Sequence, residues 1–181
     1  MAVHCEMTCR RESRCKSRPL FPVALGVALA LLSAAPCVEG TAHASARVVL
    51  MAFVAKDSSI RDLKMAELRH LFTNATGIGL SDEQAIPFNQ PVHSKDRVGF
   101  DQAVLRLKPE QVGRFWIDHK IRGLSGPPRS VDSLPLLLRL VARIKGAVGY
   151  ARPEQVAGDV RVIRIDGKLP TDAGYSLQFS E

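Results

Sequence analysis

AIPFNQPVHSKDRVGF, residues 85–100, changes character halfway along. Residues 85–89 are short and mostly apolar, and read as a strand ending at Asn89. Further on, Val98, Phe100, Val104, Leu105 and Leu107 fall at helical spacing, which predicts a helix over 96–107 that starts near Ser94. A helix start exposes unpaired backbone N–H groups and roughly half a positive charge, which together hold a small anion. Ser94 can cap the helix or donate to that anion. Arg97 lies one turn on, along the same face, and its forked guanidinium can grip two oxygens of one oxyanion. Asn89 and Gln90, at the strand's end, can add amide donors, and loops at the C-terminal ends of strands are the usual binding edge of α/β sheets. The same spacing equally fits a plain helix cap with Arg97 as a surface cation.

Working outward, residues 47–55 (RVVLMAFVA) form a continuous apolar, β-branched run, read as one strand buried on both faces. Residues 56–59 are a turn. Leu68, Leu71 and Phe72 stand at helical spacing within 65–72, and residues 74–79 break that helix. Pro109 opens another helix, to about Ile121, expected to bury Val112, Phe115 and Trp116. Residues 123–128 are a loop. Residues 130–145 read as a helix with Ser130 or Ser133 as N-cap and Pro135 in the first turn, closed by Gly146. Residues 147–151 and 160–165 read as strands. The polar tail after Gly167 is expected to be loosely held. Strands alternating with helices imply an α/β layer architecture.

The loop Ser125-Gly126-Pro127-Pro128-Arg129-Ser130 is a second candidate site. Gly126 lets the backbone approach a ligand, and Ser125 joins the anion-binding set. A rigid connector fits as well. Catalysis finds little support: His70, His93 and His119 are scattered, the acidic residues are dispersed, no H-x-x-x-H pair, G-x-S-x-G elbow or G-x-x-x-x-G-K-[ST] loop occurs, and hydrolysis of a small ester or phosphate, a third reading, lacks a visible nucleophile–base pair. No catalytic residue, metal ligand or cofactor is expected.

Residues 1–19 carry five cations, residues 20–36 carry no charge, and Ala42-His43-Ala44 offers small residues where a signal peptidase reads. This is the pattern of a secretory signal peptide over residues 1–44, and it predicts a periplasmic or secreted domain over 45–181 with no membrane span after cleavage. As an anchor the uncharged core would be at the short limit for spanning, and it holds Pro22 and Pro36. Arg10-Arg11 resembles a twin-arginine pair but lacks apolar residues close behind. Cys37 stands where a lipoprotein cysteine would, but Pro36 takes the place of a small residue; Met7 is an alternative start. All four cysteines precede the cleavage site, which suits an oxidising compartment and leaves the mature domain no disulfide. Residues 45–181 carry 20 Lys and Arg against 15 Asp and Glu. That mild excess suits small anions, a membrane surface or an acidic partner. It is not the dense stripe of a nucleic-acid binder.

Four segments in order, VVLMAFVAKDSSIRDLKMAELRHLF (48–72), AIPFNQPVHSKDRVGF (85–100), RFWIDHKIRGLSGPP (114–128) and VARIKGAVGYA (141–151), resemble the PstS-like (phosphate-binding-protein-like) domain of the periplasmic binding protein superfamily, and within it the short single-domain secreted members. Phe72 ends the family's first helix. Ser94, Arg97 and Phe100 match S-x-x-R-x-x-F, and residues 146–150 match G-A-[IV]-G-Y. The resemblance implies a type-2 periplasmic-binding-protein-like lobe, a mixed sheet flanked by helices, with its core at about 48–165. It also implies binding of phosphate or a similar oxyanion, capped by Ser94 and paired with Arg97, and delivery to an ABC permease. Full-length receptors of this kind have two lobes and an early Gly/Ser/Thr-rich loop. Here that loop is absent, and His93-Ser94-Lys95-Asp96 replaces the usual S-G-T. The alternative is therefore an interaction or signalling module of the cell envelope that has lost its ligand.

Overall fold

The apolar run at residues 47–55 is broken at Leu50, whose N–H donates to the Leu177 carbonyl at 3.0 Å. In the computed structural model, which describes residues 46–74, 78–80 and 82–180, β1 (Arg47–Val49) pairs antiparallel with β10 (Gln178–Ser180). β2 (Met51–Ala55) enters the main sheet instead. The single strand expected from sequence is thus two, because each half finds a different partner. The expected signal peptide lies outside the described residues.

The main sheet also contains β4 (Ile78–Leu80), β5 (Glu83–Asn89), β6 (Arg129–Ser130), β7 (Ala147–Ala151) and β8 (Val160–Val162). Its order is β4-β5-β7-β2-β8, with β6 beside β5. β5 runs parallel to β6 and β7, whereas β2 is antiparallel to β7 and β8, so the sheet is mixed. β3 (Asp62–Leu63) and β9 (Arg164–Ile165) form a small parallel pair, which divides the expected strand 160–165 in two.

Side chains alternate across a strand, and here the alternation sorts the core into two layers. Ala52 and Val54 of β2 and Val148 and Tyr150 of β7 pack with Leu68, Leu71 and Phe72 of α1 (Met65–Asn74) and Phe100 of α2 (Lys95–Phe100). Phe53, Ala147 and Ala151 point the other way, onto Leu137 and Val141 of α4 (Leu134–Arg143). Burying each large apolar side chain contributes about 1.5–3 kcal/mol, so a sheet covered on both faces accounts for the wholly apolar β2. Gly146, at φ +78, opens β7; a Cβ there would strike the Gln84 carbonyl of β5.

Three other expectations need correction. α4 begins at Leu134, later than the earliest expected start, because the buried Val131 donates its N–H to the Asn89 carbonyl at 2.8 Å and prolongs the β5–β6 pairing. Ser133 is its N-cap, without a side-chain capping bond. On α3 (Pro109–Ile121) only Trp116 is buried; Val112 and Phe115 are half-buried, and Trp116 meets Phe115 and His119 edge-on, outside the two main core layers. The tail after Gly167 is held: Tyr175 and Leu177 are buried, and the Phe179 ring fills the space over Gly99, where a side chain would collide with it. Among the described residues, no helix is long and apolar enough to cross a membrane, and no group of three His, Cys, Asp or Glu could hold a metal.

Candidate anion site at the end of β5

Ser94 closes a turn by donating its N–H to the Pro91 carbonyl at 3.0 Å and then caps α2. Its hydroxyl accepts the Arg97 N–H at 3.2 Å and donates to Gln90 Oε1 at 3.4 Å. The helical path continues past Phe100 as a wider π-helical turn, Asp101–Leu105, and stops at Arg106 in left-handed conformation, φ 59.

Arg97 is not a surface cation. It is 4% exposed, and its Nε donates to Asp101 Oδ2 at 2.8 Å. Arg97 Nη1 and Asp101 Oδ1 are both buried without a hydrogen-bond partner. The two residues line a cavity of about 310 Å³ with Val92, His93, Val98 and the α3 residues Pro109 and Val112. Burial pushes the Asp101 carboxyl above the usual carboxylate range; the Arg97 guanidinium pulls the other way but does not overcome it.

β7 supplies the floor. The Tyr150 hydroxyl donates to Asn89 Oδ1 at 3.3 Å and accepts the Gln90 N–H at 3.4 Å, while Gln90 Nε2 donates to the Tyr150 carbonyl at 2.9 Å. Burial raises the phenol's pKa, keeping it a neutral donor. The Tyr150 ring stacks on Phe100, and Phe72 lies 4.6 Å from Phe100, so the three aromatic residues of the sequence motifs meet in one cluster. Asp96, buried, accepts from Arg152 Nε at 2.6 Å and ties α2 to the end of β7.

The structure therefore gathers Asn89, Gln90, Ser94 and Arg97. It leaves Ser125 apart: that hydroxyl donates to the Asn74 carbonyl at the end of α1. Arg129 and Ser130 of the second candidate loop line a different groove, of about 320 Å³, with Phe88 and Leu136. Sequence reasoning missed Asp101 and Tyr150 as members of the network. Asp101 carried a signal, standing four residues after Arg97, one helical turn away. The resulting arrangement offers one unpartnered guanidinium nitrogen and one unpartnered carboxylate oxygen, on two residues that line a cavity, with near-cancelling formal charges.

Over about three-quarters of the chain the polypeptide path is shared with solved structures of phosphate-binding proteins. An ABC-type phosphate transport receptor from Vibrio cholerae superposes with a TM-score of 0.58 at 18% identity, over 74% of this chain and 54% of that one. A protein from Clostridium perfringens, described as a phosphate ABC transporter substrate-binding protein with bound phosphate, gives 0.59 at 18% identity, over 75% and 54%. The fold of the present chain matches that of one lobe of a type-2 periplasmic binding protein. PstS from Borrelia burgdorferi gives 0.55 at 11% identity, over 75% and 56%, so the lobe spans about half the length of these receptors. These similar structures are a receptor and binding proteins, not enzymes. In sequence, 81 residues are 31% identical to the small ribosomal subunit protein eS4 of Ixodes scapularis, covering 41% of this chain and 30% of that one. No protein-family profile matches the chain.

Proposed function

We propose that the lobe is an exported solute-binding module for phosphate or a similar small oxyanion, held at Arg97 and served by an ABC permease. The observation that carries this is Arg97 Nη1, buried at a cavity wall without a partner. Leaving a buried donor unpaired costs about 1–3 kcal/mol, more when it is charged. A ligand oxygen accepting from Nη1 removes that cost. Asp101 Oδ1 is short of a donor in the same way. A phosphate that keeps one proton supplies it; sulfate does not. The likeness to phosphate receptors supports the reading, and export rests on the basic, apolar and Ala-x-Ala pattern of residues 1–44.

The test is thermal unfolding of the ligand-free chain against phosphate, sulfate and small carboxylates. A ligand at one hundred times its dissociation constant adds about 2.7 kcal/mol of stability. For a domain this size that is a rise of roughly 5–11 °C. A rise with phosphate that Arg97→Lys abolishes supports the site; no rise with any millimolar anion overturns it.

A second reading, an envelope interaction module without a small ligand, is favoured by the outer face of α3, where Ile117 is 61% and Ile121 is 78% exposed. A partner lost on Ile121→Asp, in a chain that binds no anion, would establish it.

A further inference from the structure

Away from Arg97, three arginines converge where β8 meets the β3–β9 pair. Arg61, Arg161 and Arg164 line a cavity of about 260 Å³ with Asp62, Val162 and Leu169, and share no residue with the Arg97 cavity. The backbone sets their spacing. Asp62 lies opposite Arg164 in the parallel β3–β9 register, and the Arg164 N–H donates to the Arg61 carbonyl at 3.2 Å. Arg161 projects from the neighbouring β8. It is half-buried, and its Nη2 is fixed by the Ser58 and Ile60 carbonyls at 2.6 and 3.1 Å. Among the described residues, the Arg61 and Arg164 guanidiniums make no hydrogen bond or ion pair.

We infer that Arg61, Arg161 and Arg164 form a second anion site, one that takes a phosphomonoester carrying a neighbouring hydroxyl. Three guanidiniums against the Asp62 carboxylate leave a formal +2 at the cavity. A phosphomonoester brings about −1.5 to −2 at neutral pH, and planar guanidinium forks match its oxygens in pairs. Asp62, on the same cavity wall, accepts the hydroxyl. Leu169, 37% exposed at the rim, covers the carbon chain. Arg161 is already held in place, so binding has only Arg61 and Arg164 to order. Glycerol phosphate has this pattern, either free or as the headgroup of a monoacyl lipid, lysophosphatidic acid, in which one glycerol hydroxyl stays free. The site stands whether or not Arg97 binds an anion.

Amide NMR of the whole chain, titrated with glycerol 3-phosphate, tests it. The amides of Arg61, Asp62, Val162 and Arg164 should shift in a saturable way. An Arg61→Ala/Arg164→Ala chain, altered only at exposed side chains, should keep its spectrum and lose affinity by about tenfold or more. Ser94 and Arg97 amides report the other site separately, so failure of one site is not read as failure of the other. Absence of any saturable shift at residues 61, 62, 162 and 164, or an unchanged response in the double variant, overturns the proposal. Sedimentation with phosphatidylcholine vesicles, with and without lysophosphatidic acid, separates the sources. Arginine-dependent capture only by vesicles holding lysophosphatidic acid identifies a lipid headgroup; a soluble response without capture identifies a free phosphomonoester.

Discussion

The Phe100 and Tyr150 rings stack face to face, with centroids 3.7 Å apart and planes 9° from parallel. One ring closes α2 and the other sits in β7, so this contact sets how far the capped helix stands from the sheet. It also holds the Tyr150 hydroxyl under Asn89 and Gln90. Phe100→Ala removes a fully buried ring and should cost about 3–5 kcal/mol. Chemical denaturation should show a lower midpoint at unchanged slope; a loss under 1 kcal/mol, roughly the scale of surface changes, would contradict the central place given to this contact.

The Ser94 hydroxyl caps α2 and bonds Gln90 through one oxygen. Ser94→Ala should cost about 1 kcal/mol through loss of the cap, and Ser94→Gly only a few tenths. If both variants weaken phosphate binding equally while differing in stability, the hydroxyl acts on the ligand. If affinity follows stability, Ser94 acts only by shaping α2.

Asp101 should impose a pH dependence. Its folded pKa is raised by burial, so the folded chain holds more protons than the unfolded one between the ordinary carboxylate value and the raised one. Its contribution therefore makes stability fall as pH rises through that window, and Asp101→Asn should remove that component of the slope. Sulfate stays fully ionised across the same range. Its affinity should rise as pH falls through the Asp101 titration, and calorimetry on Asp101→Asn should show no such rise. An equal rise in both chains would place the controlling group elsewhere.

Gly99 and Phe179 should be coupled. Gly99→Ala drives a methyl into the Phe179 ring and should cost about 1–3 kcal/mol. Once Phe179→Ala has removed the ring, the added methyl has room. The double variant should then be less destabilised than the sum of the singles by about 0.5 kcal/mol or more. Strict additivity would mean that the tail does not lie against α2 in solution.

The helix after residue 94 was legible because its cap and its apolar period agree. β2 and β7 were legible because both are unbroken apolar runs. The depth of Arg97 was not: it follows from α3 covering the start of the π-helical turn, and no local spacing reports that. The tail misled for a different reason. Its average composition is polar, but Tyr175, Leu177 and Phe179 alternate with period two, and the first two are buried. That is the spacing of an extended segment lying on a surface, which averaging conceals. Ser125 was expected at the site because the neighbouring Gly126 lets the backbone approach a ligand; its hydroxyl instead donates to the Asn74 carbonyl at the end of α1.

The pairing of Arg47 with Ser180 joins the first described strand to the last. During synthesis, β1 has no partner until residues 178–180 have left the ribosome. Leu50 likewise waits for the Leu177 carbonyl. Long-range pairings form late because loop closure must precede any reward. A nascent chain of this lobe therefore stays incompletely locked until residues 177–180 have emerged and β1 can close on them.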